Sequence, residues 1–242
     1  MAARQLLLIA DIGGYTDYMR THRMSLAHAE VNTTRLLEKV IDAVPDFELI
    51  EIEGDAAFLA RQVDDTGGNV LSEQVLESAM AMHRAFHVER HYVATNLCPC
   101  ASCSQATNLK LKFVAHVGEV ATQTIRDRRK LVGIDVILVH RMLKNTVEVP
   151  EYVLMSEELY RAGDAPLSAP AREIPQELEG IGSVRSFFVD VAPDTAAPPP
   201  LLGPALLGTA LPGRVGRTLR LAGAGLPYML GLRRTRHAAF AH

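Results

Sequence analysis

The sequence has no tryptophan, and aromatic residues make up only 5% of the chain. Scarce aromatic rings argue against a nucleic-acid partner, because bases commonly stack on such rings. No run of about 18 apolar residues occurs, so no membrane-spanning helix is expected. No N-terminal segment has the pattern of a signal peptide. These absences predict a globular, cytoplasmic protein.

Cysteine is also scarce: the three cysteines are Cys98, Cys100 and Cys103, crowded into six residues. An odd number at this spacing argues against a disulfide scaffold and fits a reducing compartment. Three thiolates and one imidazole can form a zinc site, and histidines at helical spacing precede the loop, namely His83, His87 and His91. His87 or His91 could supply that fourth ligand. The alternative is three reduced, partly buried cysteines in a loop.

The net charge of −3 is unevenly distributed along the chain. Residues 191–242 carry six arginines and one acidic residue, which leaves a net charge of −8 on the rest. The boundary coincides with a proline-rich stretch that cannot build a packed core. We therefore expect a folded domain at 1–190 and a Pro/Gly/Ala-rich basic tail at 191–242. The tail either packs only locally or makes peripheral contact with an anionic membrane.

Apolar periodicity predicts the order βαββαβ, followed by further elements. The predicted strands are 5–11, 47–53, 56–61, 109–117, 119–126, 151–155 and 184–191. The predicted helices are 25–43, 71–92, 134–145 and 156–162, and a cysteine-rich insert occupies 96–108. This order indicates an α+β fold, a ferredoxin-like sandwich with elaborations.

Two acidic residues lie at the ends of predicted strands. Asp11 follows an apolar run and precedes Gly13 and Gly14, and Asp55 lies in a Gly-Asp turn between two strands. If that hairpin lies beside the first strand, the two carboxylates converge and suit Mg²⁺ or Mn²⁺. The alternative is that Asp11 merely ends a strand and Asp55 occupies a turn, where aspartate is favoured.

Four segments in order carry a family resemblance. They read A-D-I-G-G-Y-T from residue 10, E-G-D-A-A-F from 53, H-V-G-E-V from 116, and G-I-D-V from 133 leading to H-R-M at 140. Together they resemble the class III adenylate and guanylate cyclase catalytic domain over roughly residues 5 to 190. More closely, the chain is similar to an uncharacterised bacterial branch of that superfamily, described only as a domain of unknown function.

The resemblance implies the cyclase elaboration of the ferredoxin-like fold and a homodimer whose site spans both subunits. It implies a purine nucleoside triphosphate, bound with Mg²⁺ or Mn²⁺ and attacked by its own ribose 3′-hydroxyl. Asp11 and Asp55 take the metal-ligand positions, and Gly13 and Gly14 form the turn that approaches phosphate. Arg141, from the other subunit, takes the position of the transition-state arginine.

Three positions depart from the family pattern. Ile137 stands where the family has its transition-state asparagine, and it can donate no hydrogen bond. Glu51 stands in place of the base-selecting lysine, and Lys130 in place of that lysine's acidic partner. A pair with reversed charges could still form a salt bridge. Loss of one positioned donor costs about 100- to 1000-fold in rate.

The predicted helix 134–145 offers a second polar feature. Arg141, Lys144 and Asn145 share one face by their i, i+3, i+4 spacing, and that face could hold a phosphate. The alternative is an ordinary solvated face.

Three functional interpretations follow. The first is a divergent cyclase that binds a purine nucleotide with Mg²⁺ or Mn²⁺ at a dimer interface, with weak or altered activity. The second is a catalytically inactive signalling or interaction module with a zinc-binding cysteine loop. The third is a ferredoxin-like domain whose motif likeness is accidental. Ile137 and Glu51 favour the second interpretation, and Asp11, Asp55 and Arg141 favour the first.

Overall fold

The computed structural model describes residues 2–21, 26–63, 70–94, 105–163 and 167–192. Within these ranges the strands are β1 (Ala2–Gly13), β2 (Glu48–Glu53), β3 (Ala56–Gln62), β4 (Lys110–Ile125), β5 (Arg128–Val132), β6 (Tyr152–Ser156), β7 (Ala171–Leu178) and β8 (Gly182–Asp190). The helices are α1 (Tyr15–Thr21), α2 (Leu26–Asp42), α3 (Leu71–Tyr92), α4 (Ile134–Met142) and α5 (Glu157–Arg161), with a 3₁₀ turn at Gln105–Asn108.

All these strands join one sheet with the order β2-β3-β1-β4-β6-β8-β7, and β5 pairs with β4. The first four strands, in the order β2-β3-β1-β4, form the antiparallel ferredoxin-like core that the sequence predicts. β6 then joins β4 in parallel, and β8 and β7 extend the sheet by antiparallel pairing. The predicted α+β fold is confirmed.

Helices cover both faces of the sheet, which explains the continuous apolar run in β1. Leu6 and Leu8 belong to the core cluster beneath α2 and α3, whereas Leu7 and Ile9 belong to the cluster beneath α4. Successive side chains of a strand point to opposite faces, so a strand covered on both sides buries every position. The acidic and basic site residues of β1 and β4 lie just beyond this buried run.

β4 is a single strand. The sequence instead predicts two strands, 109–117 and 119–126, with the chain turning at Gly118 between them. The chain instead reverses after Ile125, where Arg126 has a positive φ of 57°, and continues into β5. The prediction was wrong because a glycine in a strand is also used where another group approaches closely.

That close approach at Gly118 comes from Asp135, near the start of α4. A Cβ on Gly118 would lie 2.3 Å from Oδ2 of Asp135, which leaves no room for any side chain. The same carboxylate accepts a hydrogen bond of 2.7 Å from the amide of Glu119. Gly118 therefore serves helix packing rather than chain reversal.

Three strands or helices were not predicted from the sequence, namely α1, β5 and β7. α1 has only seven residues, which is too short for a helical period to be recognised. β7 carries charged residues and Pro175, and its position at the edge of the sheet tolerates both. No helix in the described ranges is long and apolar enough to cross a membrane. The predicted zinc ligands Cys98, Cys100 and Cys103 and the tail from residue 193 lie outside the described residues.

Candidate functional site

Asp11 and Asp55 lie at the same end of two neighbouring strands, β1 and β3, in the interior of the sheet. Asp11 lies in β1 opposite Ala56 of β3, and Asp55 is the residue just before Ala56. The amide of Ile12 donates a hydrogen bond of 3.2 Å to the carbonyl of Asp55, which extends the β1–β3 pairing into the turn. Gly54, with a φ of +68°, makes the tight reversal. The predicted hairpin therefore lies beside the first strand.

The two carboxyl groups interact electrostatically. Burial raises the pKa of Asp55, and the negative charge of Asp11 raises that pKa further. A neighbouring negative charge that raises the cost of ionising a carboxyl group is typical of paired carboxylates, which a cation can bridge. The pair therefore has the donor chemistry of a divalent-ion site, since Mg²⁺ and Mn²⁺ prefer carboxylate oxygens.

A lysine that the sequence analysis missed lies beside this pair. Lys112 in β4 stands directly opposite Asp11, and its Nζ lies 2.9 Å from Asp11 Oδ2. Burial lowers the pKa of Lys112, but the hydrogen bond and charge of Asp11 outweigh that effect, so the pKa is raised overall. The strand register identifies this residue, and the sequence alone does not supply the register.

Two tyrosines complete the surroundings of the carboxylate pair. Burial raises the pKa of Tyr15, and the charge of Asp55 adds to the increase. Burial also raises the pKa of Tyr152, with a contribution from Asp11. Both phenols are therefore protonated at neutral pH and can act as hydrogen-bond donors.

A second feature is an open cleft of about 350 Å³ between the β2–β3 hairpin, β5 and α4. Its lining is apolar in part and also contains charged side chains at positions singled out by the sequence analysis. The lining residues are Ile50, Glu51, Glu53, Phe58, Lys130, Leu131, Val136, Ile137, His140 and Arg141. The structure thus brings Glu51, Lys130, Ile137 and Arg141 of one chain together in this cleft.

Glu51 and Lys130 form a salt bridge across the cleft. Nζ of Lys130 lies 3.1 and 3.4 Å from the two carboxylate oxygens of Glu51. Both side chains are at least one-third exposed, so the pair contributes little to stability. Its charges can instead be presented to a ligand in the cleft.

Arg141 lies in the cleft with hydrogen-bonding capacity to spare. Its Nη1 is buried and has no hydrogen-bond partner within the described ranges. Glu179 Oε2, with which it forms a long ion pair, is 3.9 Å away. Gly180 packs closely against the guanidinium, because a Cβ there would lie 3.3 Å from Nη1. A buried donor without a partner is costly. The side chain as a whole is 35% exposed, so the rest of the guanidinium can bind an anionic oxygen in the cleft.

The predicted phosphate-binding face with Lys144 and Asn145 was wrong. α4 ends at Met142, so the two residues do not continue its face. The side-chain amide of Asn145 donates to the carbonyl of Met142 at 2.8 Å, and its Oδ1 accepts from the Tyr152 hydroxyl at 3.0 Å. Asn145 is therefore committed to the turn after the helix.

His116 of the H-x-G segment is buried within the fold. Its Nδ1 lies 2.8 Å from Ser156 Oγ, and its Nε2 lies 3.1 Å from Asp135 Oδ1. Together with Gly118 it holds the start of α4 against β4. The motif thus positions the helix that carries Arg141.

Solved adenylate and guanylate cyclase catalytic domains share this fold. The guanylate cyclase domain of RhGC from Catenaria anguillulae in complex with GTP is 15% identical, with a TM-score of 0.57 over 78% of this chain and 97% of that one. The adenylyl cyclase CyaB from P. aeruginosa is 15% identical, with a TM-score of 0.55 over 78% and 94%. The non-canonical dimeric guanylyl cyclase domain of the RhoGC fusion protein from Blastocladiella emersonii is 13% identical, with a TM-score of 0.53 over 78% and 97%.

Sequence comparison gives a closer relationship. Residues 33–152 match the family described as "Protein of unknown function (DUF2652)". The uncharacterized protein Rv2561/Rv2562 of Mycobacterium tuberculosis is 37% identical over 201 residues, which cover 83% of this chain and 90% of that protein. The chain therefore belongs to the same family as this mycobacterial protein, and its central segment carries the DUF2652 pattern.

Proposed function

We propose that the protein is a divergent class III nucleotidyl-cyclase-like protein that binds a purine nucleoside triphosphate with Mg²⁺ or Mn²⁺ at a homodimer interface. The observation that carries the proposal is the pair Asp11 and Asp55, whose carboxylates interact electrostatically at the ends of neighbouring strands in a sheet with the cyclase fold. Two of the similar structures contain GTP and an ATP analogue, respectively, which supports a triphosphate as the ligand.

Each site residue has a role in this proposal. Asp11 and Asp55 hold the divalent ion, which when bound neutralises phosphate charge. The Gly13-Gly14 turn follows Asp11 without side chains that would block a phosphate, and Gly14 adopts a φ of +82°. In the reaction the ribose 3′-oxygen bonds to the α-phosphorus as the bond to pyrophosphate breaks. Arg141 stabilises the charge that develops on the leaving oxygens.

The apolar surface around the cleft supports the proposed dimer. Ile52, Ile134 and Ile137 are 50%, 59% and 47% exposed, which is high for isoleucine. A second copy that covers this surface would bury it and would bring its own Arg141 to the carboxylate pair. One of the similar cyclase domains is itself described as dimeric.

Activity is expected to be weak or altered. Ile137 offers no donor where the resemblance implies an asparagine, and one missing donor costs about 100- to 1000-fold in rate. Glu51 and Lys130 reverse the charges expected at the base-reading pair, so a base other than adenine is expected to bind best. The alternative function, an inactive cyclase-homology module, rests on the same Ile137.

A product assay on the full chain tests the proposal. ATP, GTP, CTP and UTP are incubated with the protein and Mn²⁺, and cyclic nucleotide is quantified by mass spectrometry. We expect slow product formation that Asp55→Ala abolishes and that Asp46→Ala, at an exposed carboxylate, leaves unchanged. Nucleotide binding without product supports the inactive module, and product formation that survives Asp55→Ala contradicts the assigned roles.

A further inference from the structure

A buried cluster of two histidines and one glutamate lies on the other side of the sheet from the carboxylate pair. Nε2 of His83 and Nε2 of His87 are 3.1 Å apart, and they lie 3.5 and 2.8 Å from Oε1 of Glu151. The histidines lie one turn apart on α3, and Glu151 immediately precedes β6. The three side chains are only 1%, 11% and 2% exposed.

The distances match the edges of a metal coordination polyhedron. Zinc bonds nitrogen and oxygen ligands at about 2.0–2.1 Å, so ligands at tetrahedral angles are separated by about 3.3–3.4 Å. The three distances here scatter around that length. Without a metal ion, the N–H groups of the two imidazoles are all that links the three side chains, out of reach of solvent.

The surroundings hold the glutamate in position as a ligand. The amide of Leu111 donates a 2.9 Å hydrogen bond to Glu151 Oε1 and orients the carboxylate. Phe86 packs edge-on against the ring of His87, which restricts its rotation. The cation that faces the cluster is Arg90, whose Nη1 is bound to the Leu109 carbonyl at 2.6 Å.

We propose that His83, His87 and Glu151 form a buried site for a divalent transition metal of the zinc class, separate from the Asp11–Asp55 pair. Two imidazole nitrogens and one carboxylate oxygen are a donor set that zinc accepts. The ion would join α3 to the segments that begin β4 and β6. Because all three ligands are buried, its role is structural.

The test is a titration of the chelator-treated full chain with Zn²⁺ and Co²⁺. We expect about one equivalent to bind, visible Co²⁺ absorption bands of a low-coordinate site, and a Tm increase of about 5–10 °C at one hundred times the Kd. Glu151→Gln and His87→Gln should each weaken Co²⁺ binding at least about 10-fold. The matched control is His91→Gln, at an exposed position one turn further along α3, which should leave the affinity for Co²⁺ unchanged.

Further variants separate this site from the other candidate metal sites. Binding should persist when Cys98, Cys100 and Cys103 are all changed to serine, and also in Asp11→Asn/Asp55→Asn. Loss of the equivalent in the cysteine variant, together with retention in Glu151→Gln, overturns the proposal. So does a wild-type protein in which Zn²⁺ and Co²⁺ produce neither a Tm shift nor absorption bands. If Glu151→Gln fails to fold, His87→Gln supplies the same comparison with the cysteine variant.

Discussion

The ammonium of Lys112 lies 2.9 Å from Oδ2 of Asp11, directly across the pairing of β4 with β1. Both side chains are mostly buried, and Asp55 contributes to the raised pKa of the lysine. Lys112 therefore supplies a resident positive charge at the carboxylate pair. A divalent ion that binds there must compete with this charge, which offers a physical reason for weak or metal-selective activity.

Replacement of Lys112 should strengthen metal binding. Lys112→Met removes the competing ammonium but keeps the aliphatic volume, and a partly buried ion pair of this kind is worth about 1 kcal/mol. We expect Mn²⁺ affinity to rise about 5- to 10-fold, as measured by electron paramagnetic resonance of free Mn²⁺. Lys39→Met, at an exposed position on α2, should have no effect. Weaker Mn²⁺ binding in Lys112→Met would mean that the lysine supports the site instead.

Neutralisation of Asp55 should stabilise the fold. Burial and the charge of Asp11 raise its folded-state pKa, so the native state binds the proton more tightly than the unfolded state. The stability contribution is therefore unfavourable above the folded-state pKa and disappears as the pH falls below its ordinary value. Because the residue is partly exposed, we expect Asp55→Asn to raise Tm by only about 1–3 °C at pH 7.

The pH dependence of this effect provides its control. The difference in Tm between wild type and Asp55→Asn should shrink as the pH falls towards 3 or so, where Asp55 is protonated in both states. Asp46→Asn, at an exposed position, is the matched control and should leave Tm unchanged across this pH range. A wild type that is more stable than Asp55→Asn at pH 7 contradicts the account.

Gly118→Ala should be strongly destabilising although the residue lies in a regular strand. The added methyl group would meet the Asp135 carboxylate at 2.3 Å, and overpacking of this kind costs about 1–3 kcal/mol. Asp135→Gly removes the obstructing side chain, so the double variant should lose less stability than the sum of the single changes. If urea denaturation shows that the two changes in the free energy of unfolding add, the methyl group at position 118 does not clash with the Asp135 side chain.

Charge changes at Glu51 and Lys130 should alter nucleotide preference but not stability. The salt bridge is half exposed, so Glu51→Lys, Lys130→Glu and the double exchange should each change the free energy of unfolding by less than about 1 kcal/mol. The ratio of ATP to GTP affinity should shift at least about 10-fold in the double exchange, because the hydrogen-bonding pattern offered to the base is reversed. If the ratio of ATP to GTP affinity does not change, the nucleotide base does not bind at Glu51 and Lys130.

The sequence predicted the features that depend on local pattern. β1 and α3 appear as apolar runs of the right period, and the Gly-Asp turn marks the two-residue hairpin that carries Asp55. The position of that hairpin beside Asp11 depends on the long-range pairing of β1 with β3. Lys112 could not be predicted, since its partner is chosen by the register of a long-range strand pair. Glu151 could not be assigned to His87 either, because 64 residues separate them and only the tertiary fold brings them together.

Gly118 shows how a correct motif can carry an incorrect local interpretation. The H-x-G segment that contains Gly118 was identified correctly, but the chain does not turn there. β4 continues through Gly118, and the missing side chain leaves space for Asp135. Glycine has two uses, a positive φ and the absence of a side chain, and only the packing distinguishes them.

The most direct test is binding of Mn²⁺ with a 3′-deoxynucleoside triphosphate, which lacks the attacking hydroxyl and so cannot react. Titration calorimetry on wild type, Asp11→Asn and Asp55→Asn isolates binding from turnover. We predict Mn²⁺-dependent binding by the wild type that each substitution weakens at least about 10-fold. Binding that is equal in all three proteins, or absent from the wild type, would contradict the assignment of these carboxylates to a nucleotide-bound metal ion.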